Sequence, residues 1–381
     1  MQRLLPEQPP PVWPRFTSRL HSLAVTARVG RILGIAFGVC FLTGLLSHYQ
    51  YQPWHWLPEP ARPVWGYRLS QGLHVITGIA LIPLLLVKLW TVYPKLWEWP
   101  PVRSLVHGLE RLSIAVLVTS ALTEVTLGFI NILDWYPWHF DFVYVHRMLA
   151  YVVIGSLLVH IAVKLPLIRT GLRTPLMPAD EASSATQGLS RRGLVIATSG
   201  GLAALVLTTV GQTFSPLQRI ALLAPRRPAS GPLGIPINRT AIEAKVMSSA
   251  TSPQWRLTVL GPKPFDLDLA AFEALPAVEH GLPIACVEGW SASGRWRGPL
   301  LLDLVRRVGG DADSRVRVVS LEHGGAYASS IVDGPQLSAA ILATHLNGER
   351  IPLDHGYPVR LIAPNRAGVF NTKWLTRVEV L

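Results

Sequence analysis

Charge is scarce in this chain, and so is cysteine. Asp, Glu, Lys and Arg make up 15% of the 381 residues against 49% for the hydrophobic types, a balance too apolar for an ordinary soluble two-domain protein. Two cysteines, Cys40 inside an apolar run and Cys286 far from it, exclude a disulfide framework. Acidic residues are outnumbered 23 to 35 and the formal net charge is +12. The Lys and Arg residues are not gathered on one basic helix or arm, however, so nucleic acid is not an expected partner. No internal repeat is present.

Long apolar runs are what the chain has in excess. A bilayer-spanning helix needs about 20 such residues, and five segments of that kind precede residue 215. The first, "GRILGIAFGVCFLTGLLSH", follows Arg3, Arg15, Arg19, Arg28 and Arg31 without a balancing acidic cluster, which places the N-terminus in the cytoplasm by the positive-inside rule. Lys88, Lys95 and Arg103 mark the loop after the second segment (about 69–92) as cytoplasmic, and Lys164, Arg169 and Arg173 do the same after the fourth (about 142–163). The loops "HYQYQPWHWLPEPARPVWGYR" and "DWYPWHFDF", rich in Trp and Tyr, suit the outer interface. The fifth segment opens on Ser190, Arg191, Arg192, Gly193 and Leu194, which is similar to a twin-arginine export signal and equally reads as the cytoplasmic flank of an ordinary span. Both readings put everything after Gly211 outside the cytoplasm.

The expected organisation is a cytoplasmic segment at 1–28, four spans in 29–175, a cytoplasmic linker at 176–192, a fifth span at 193–213, a Pro/Arg/Gly-rich linker at 214–236 and an extracytoplasmic α+β domain at 237–381. In that domain 255–261, 315–321, 358–364 and 374–381 alternate as strands, while 299–308 and 335–346 read as helices.

Ionisable residues inside apolar spans are costly and mark function. His146 and His160 stand fourteen residues apart on the fourth span, on one face and roughly 21 Å apart along the axis. His74 matches His146 in depth near the outer ends, and His107 matches His160 near the inner ends, with His48 and His21 as competing partners. Imidazoles paired at two depths are what two b-type haems require, each iron taking one axial nitrogen from each of two facing helices. With this placement residues 20–170 resemble the di-haem cytochrome b membrane subunits of respiratory formate dehydrogenases and hydrogenases, which implies haem b and exchange of electrons with quinone or quinol. Glu124, mid-span, reads either as a proton carrier or as a hydrogen-bonding strut.

Cys286 ends the apolar run "LPIAC" and enters a stretch with Gly289, Ser291, Gly294, Arg295 and Arg297, where a backbone can approach a bulky ligand and cations can meet phosphate. A buried cysteine alone is more often a small hydrophobe. "ACVEGWS" followed by "HLNGERIPLDHGYPVRLIAPNRAGVFNTKWLTRVEV" nevertheless resembles the molybdopterin domain of the sulfite oxidase superfamily, closest to its bacterial methionine-sulfoxide-reductase catalytic subunits. That resemblance implies a molybdenum–molybdopterin cofactor with Cys286 as thiolate ligand, and Asn238, Arg239, Arg360, Asn365 and Lys373 holding the pterin and its phosphate. It departs from the animal and plant sulfite oxidases in the run Val287 to Ser291, which is not basic, and in ending at Leu381 without a dimerising β-domain. His323 and Tyr327 join Arg295 and Arg297 as candidates for a substrate pocket.

The expected function is therefore oxygen-atom transfer outside the cytoplasm, reducing a sulfoxide-like substrate with electrons carried through haem. Reversed flow, with a sulfite-like substrate oxidised, is the alternative enzyme reading, and a non-catalytic membrane-tethered binding protein the alternative of another class.

Overall fold

The computed structural model describes residues 18–54, 56–176, 191–226, 230–324 and 328–381. Most of the N-terminal segment, most of the 176–192 linker, Ser190 of the arginine motif and Tyr327 lie outside the described residues. The chain divides into two compact units, one of residues 1–42 and 74–207 and another of residues 43–73 and 208–381.

The apolar runs fold as α1 (Leu23–Tyr51), α2 (Gly66–Val92), α3 (Leu105–Ile132), α4 (Phe142–Arg173) and α5 (Arg191–Val210). All five are long and apolar enough to cross a bilayer. Their starts follow local chemistry: Ser104 accepts from the His107 amide and Asp141 from the Tyr144 amide, each satisfying a helix donor that has no intrahelical partner. Within the first unit Leu33, Phe37, Leu81, Leu84, Leu85, Ala121 and Val153 from four helices make one core.

In the second unit, α6 (Met247–Ala250) precedes β1 (Arg256–Leu260) and β2 (Phe265–Asp268), which is followed by α7 (Leu269–Glu273). Then come β3 (Val278–Ala285), β4 (Ser291–Gly298), α8 (Leu301–Arg307), β5 (Val316–Ser320), β6 (Ser329–Val332) and α9 (Gly334–Ala339). β7 (Ile341–Ala343), β8 (His345–Leu346), β9 (Glu349–Arg350), β10 (Arg360–Ile362) and β11 (Leu375–Val380) complete the domain. One sheet has the order β2-β1-β11-β5-β6 with β1 and β11 parallel, a second β3-β4-β8-β9, and β10 pairs with β7. Leu257, Val259, Val316, Val318 and Val378 alternate inward from the first sheet onto Leu301, Leu304 and Val305 of α8. A second core gathers Ile284, Cys286, Trp290, Trp296, Leu346 and Ile362.

Two expectations give way. The 335–346 segment is helical only to Ala339, because Ile341–Ala343 leaves the helix to pair in register with Arg360–Ile362. The stretch after Cys286 is a short turn and not a long loop, since Ser291–Gly298 is a strand paired with β3 along its length. Its alternation was hidden by serines and glycines, yet it buries Ala292, Gly294 and Trp296 and exposes Ser293, Arg295 and Arg297.

Candidate functional site

β3 and β4 stay in register until Ala285 faces Ser291, so residues 286–290 must reverse the chain. The reversal closes on itself. Cys286 N donates to Trp290 O at 2.8 Å and Gly289 N to Cys286 O at 3.0 Å, with Gly289 at φ 96°, a conformation that disfavours any side chain. Cys286 is 4% exposed. Its Sγ is approached by Asn238 Nδ2 at 3.3 Å, and the same Nδ2 donates to the Glu288 carboxylate. Asn238 Oδ1 in turn accepts from Trp290 Nε1 at 3.1 Å and from Arg226 Nε at 3.3 Å, which fixes the amide's orientation. Glu288 is itself buried, with Arg226 Nε 3.9 Å from its second oxygen. The sulfur thus has an N–H donor aimed at it and a carboxylate across that donor, a setting suited to a thiolate metal ligand.

One residue along the chain, the Arg239 carbonyl accepts from Lys373 Nζ at 2.8 Å, and Asp354 O accepts from the same ammonium at 2.7 Å. Arg239 holds Glu322 through Nε and Nη2 at 3.1 and 2.6 Å. Gly356 lets Lys373 and Arg360 converge: a Cβ there would lie 3.1 Å from each of their Cβ atoms. Arg360 is 5% exposed, and its guanidinium donates to the main-chain oxygens of Asn371 and His355 at 3.2 and 3.1 Å. Among the described residues no carboxylate forms an ion pair with it. Burial and the neighbouring cations act together. Burial pushes Arg360 down to about 9; burial and then Arg360 push Lys373 down to about 7 and His355 down to about 4. Three bases depressed in one place signal buried positive potential with too little countercharge, which a phosphate dianion would supply. The donor set at Cys286 and this cation cluster fit a ligand carrying a soft metal at one end and a phosphate at the other.

The structure brings together Cys286 with Asn238, and Arg239 with Lys373 and Arg360, and places Asn365 against another segment. Its Oδ1 accepts from Tyr67 N at 2.6 Å and Gln50 Nε2 at 3.1 Å, and its Nδ2 donates to Pro60 O at 2.6 Å. These bonds tie Asn365 to residues 50–67. Gly66 makes room for it, since a Cβ there would come within 2.5 Å of Asn365 Oδ1. Arg295 and Arg297 lie on the exposed face of β4, opposite the Cys286 core, and His323 is exposed. Glu288, Trp290, Arg226 and His355 were not anticipated. The signal for Glu288 was a carboxylate two residues past the thiol in an otherwise apolar turn.

In the first unit, His74 and His146 do meet, with ring centroids 6.0 Å apart and planes at 84°. His74 Nδ1 lies 2.9 Å from Cys40 O, a donor role that leaves Nε2 as the lone-pair nitrogen. His146 Nδ1 lies 3.2 Å from Glu124 Oε1 with off-axis alignment. Glu124 is thereby a partner to His146, and Gly128 packs against that ring. The inner pair fares differently. No ring contact joins His107 to His160 among the described residues, and His107 Nδ1 accepts from Arg103 N at 3.2 Å. In a neutral ring that puts the proton on Nε2 and removes the lone pair a metal needs. His21, by contrast, turns Nδ1 to Thr91 O at 3.2 Å while packing on Trp90. No group of three or more His, Cys, Asp or Glu side chains converges on a metal position among the described residues.

Comparison with known proteins agrees with the second unit's geometry. Residues 243–381 match the family described as oxidoreductase molybdopterin binding domain. A protein of Azospira oryzae named as protein-methionine-sulfoxide reductase subunit YedZ1 is 32% identical over 113 residues, 29% of this chain and 42% of its own. The protein-methionine-sulfoxide reductase catalytic subunit MsrP of Ralstonia nicotianae is 30% identical over 143 residues, 33% of this chain and 43% of its own. Mitochondrial sulfite oxidase of Mus musculus is 34% identical over 101 residues, 24% of this chain and 18% of its own. The chain thus spans less than half the length of these relatives. Its C-terminal part is a molybdopterin-binding oxidoreductase domain of the sulfite oxidase type.

Proposed function

We propose that this chain is a membrane-anchored molybdenum oxidoreductase that reduces a sulfoxide-like substrate outside the cytoplasm, with electrons drawn from a membrane quinol through b-type haem. The observation that carries the reading is the buried Cys286 sulfur faced by Asn238, one residue from a cluster of Arg239, Lys373 and Arg360 in which Arg360 has no ion-pair partner among the described residues. Cys286 would hold the metal, and Asn238, Arg239, Arg360 and Lys373 the pterin and its phosphate. When bound, the molybdenum cofactor supplies two-electron oxygen-atom transfer. The names of the sulfoxide reductase relatives support the substrate class.

The chain's own residues supply the protons and the order. Reduction of a sulfoxide to a sulfide consumes two electrons and two protons and yields one water, which oxidation of one quinol balances. Glu288, whose carboxylate lies across the Asn238 amide from Cys286 Sγ, would relay a proton to the site. Arg226 and Trp290 keep Asn238 from turning its oxygen toward the sulfur. Five apolar helices and the alternation of basic and aromatic loops support membrane anchoring with the N-terminus cytoplasmic. His74 and His146 would ligate one haem, with the Glu124 carboxylate close to His146 Nδ1. In this reading His160 takes His21 as partner for a second.

Purified protein should hold about one molybdenum per chain by elemental analysis, and Cys286→Ala should abolish turnover while sparing the haem bands. Absence of molybdenum from protein made in cofactor-competent cells overturns the reading. The sulfite oxidase relative favours a second direction, oxidation of sulfite with electrons passed to the membrane. Reduced dye with sulfoxides against oxidised dye with sulfite separates the two.

A further inference from the structure

We propose that Gln71, Gln212 and Thr213 are positioning residues for the Cys286 turn, each clamping one peptide plane behind the thiol. The turn spends its own donors inward, through Cys286 N and Gly289 N. Three successive carbonyls follow the cysteine, and each meets a different side-chain donor. Val287 O accepts from Gln71 Nε2 at 2.5 Å, Glu288 O from Gln212 Nε2 at 2.9 Å and Gly289 O from Thr213 Oγ1 at 2.6 Å. All three donors are buried, at 6, 2 and 4% exposure.

The donors are themselves held. Ser47 Oγ donates to Gln71 Oε1 at 2.5 Å, which assigns the amide's oxygen away from the turn and its nitrogen toward Val287. Arg68 Nη2 donates to Thr213 O at 3.1 Å, and the Ser291 amide to Gln212 O at 2.8 Å, so the 212–213 backbone is pinned on both sides of the turn. Gln71 lies in the first turns of α2, and Gln212 and Thr213 just past the end of α5. A five-residue reversal fixed only at its strand ends would let the 287–289 peptide planes rotate and carry Sγ with them. Clamped at every plane, the turn presents the sulfur in one place, as a metal ligand requires. Buried carbonyls that lose such donors are costly, so the clamps also order the turn before any cofactor arrives.

The proposal rests on Cys286 being the molybdenum ligand only for its consequence, and its test does not. Full-length protein from a cofactor-deficient host is compared with Thr213→Val, Thr213→Ser and Gln71→Glu, the last keeping shape and the Ser47 bond but losing the donor. Hydrogen exchange of the 286–290 amides and iodoacetamide labelling of Cys286, both by mass spectrometry, should quicken about tenfold in Thr213→Val and Gln71→Glu, and return to the parent rate in Thr213→Ser. In loaded enzyme the same two variants should lower kcat about tenfold at unchanged KM and broaden the Mo(V) paramagnetic signal. Parent-like exchange and labelling in both variants overturns the proposal; should Thr213→Val fail to fold, Gln71→Glu decides. A chain found without molybdenum would instead sink the ligand reading and leave the exchange result standing.

Discussion

Lys373 offers the sharpest test of the phosphate end of the site. In the empty site burial and Arg360 hold its ammonium at about 7, so at pH 8 roughly nine-tenths of the molecules carry it neutral. A bound dianion restores the charged form, and loading at pH 8 must therefore take up close to one proton. By linkage, affinity is pH-independent while the empty-site lysine is already charged, and falls by up to tenfold per unit as pH rises above about 7. Phosphate, with a second pKa near 6, is already dianionic over that range. The best loading thus lies at about pH 6 to 7. Lys373→Met should remove the slope between pH 7 and 9 and, by losing a charge-assisted bond of about 1.5–3 kcal/mol, weaken loading at pH 6.5 by roughly 10- to 150-fold. The assay is reconstitution of cofactor-depleted full-length protein with isolated molybdenum cofactor at pH 6.5, 7.5 and 8.5, counting molybdenum by elemental analysis. Equal loading across that range in the parent, or parent-like loading of Lys373→Met at pH 6.5, refutes the placement of the phosphate beside this lysine.

Other expectations are briefer. His146→Ala should cost half the haem in reduced-minus-oxidised spectra, whereas His21→Ala and His107→Ala separate the inner partners, only the former being expected to remove haem. Glu288→Gln should lower kcat for sulfoxide reduction at least tenfold and flatten its pH profile while molybdenum content holds, the signature of a lost proton donor. Gly66→Ala drives a methyl group onto Asn365 Oδ1 and should destabilise the protein by about 1–3 kcal/mol, read as a lowered unfolding midpoint, through the broken Tyr67 and Gln50 bonds. Glu59, raised to about 8 by burial with Arg366 only partly offsetting it, is protonated in the folded chain and ionised in the unfolded one between about pH 4.5 and 8. Stability is therefore lost as pH rises through that window. Glu59→Gln should match the parent near pH 5 and exceed it by a few kcal/mol at pH 8 in denaturation midpoints.

Legibility in the sequence followed the range of the interactions. The five apolar helices were visible because twenty lipophilic residues in a row have few other fates, and β1, β5 and β11 because alternation is local. Ile341–Ala343 was misread as helix, since a three-residue apolar run fits either form until Arg360–Ile362 arrives beside it. The partners of Asn365 were out of reach of any local pattern, lying at 50, 60 and 67, some three hundred positions away. Cys286, Asn238 and Lys373 became candidates through resemblance to a family. Nothing local announced that Asn238 and Arg239 would serve opposite ends of one site, or that Gln71 and Thr213 would hold the turn. The His74 and His146 pair was readable because helix depth is a one-dimensional coordinate, whereas the His107 tautomer depended on an amide only the fold reveals.

The adjacency of Asn238 and Arg239 has a mechanical side. The side-chain amide that meets Cys286 Sγ and the carbonyl that meets Lys373 Nζ belong to neighbouring residues, whose Cα atoms a planar trans peptide holds about 3.8 Å apart. The two anchors therefore cannot drift far apart, and a large shift of the Arg239 backbone at the lysine end reaches Asn238 beside the sulfur. With molybdenum on Cys286 as proposed, spectroscopy there should register backbone shifts caused by substitutions around Lys373 that never touch the metal.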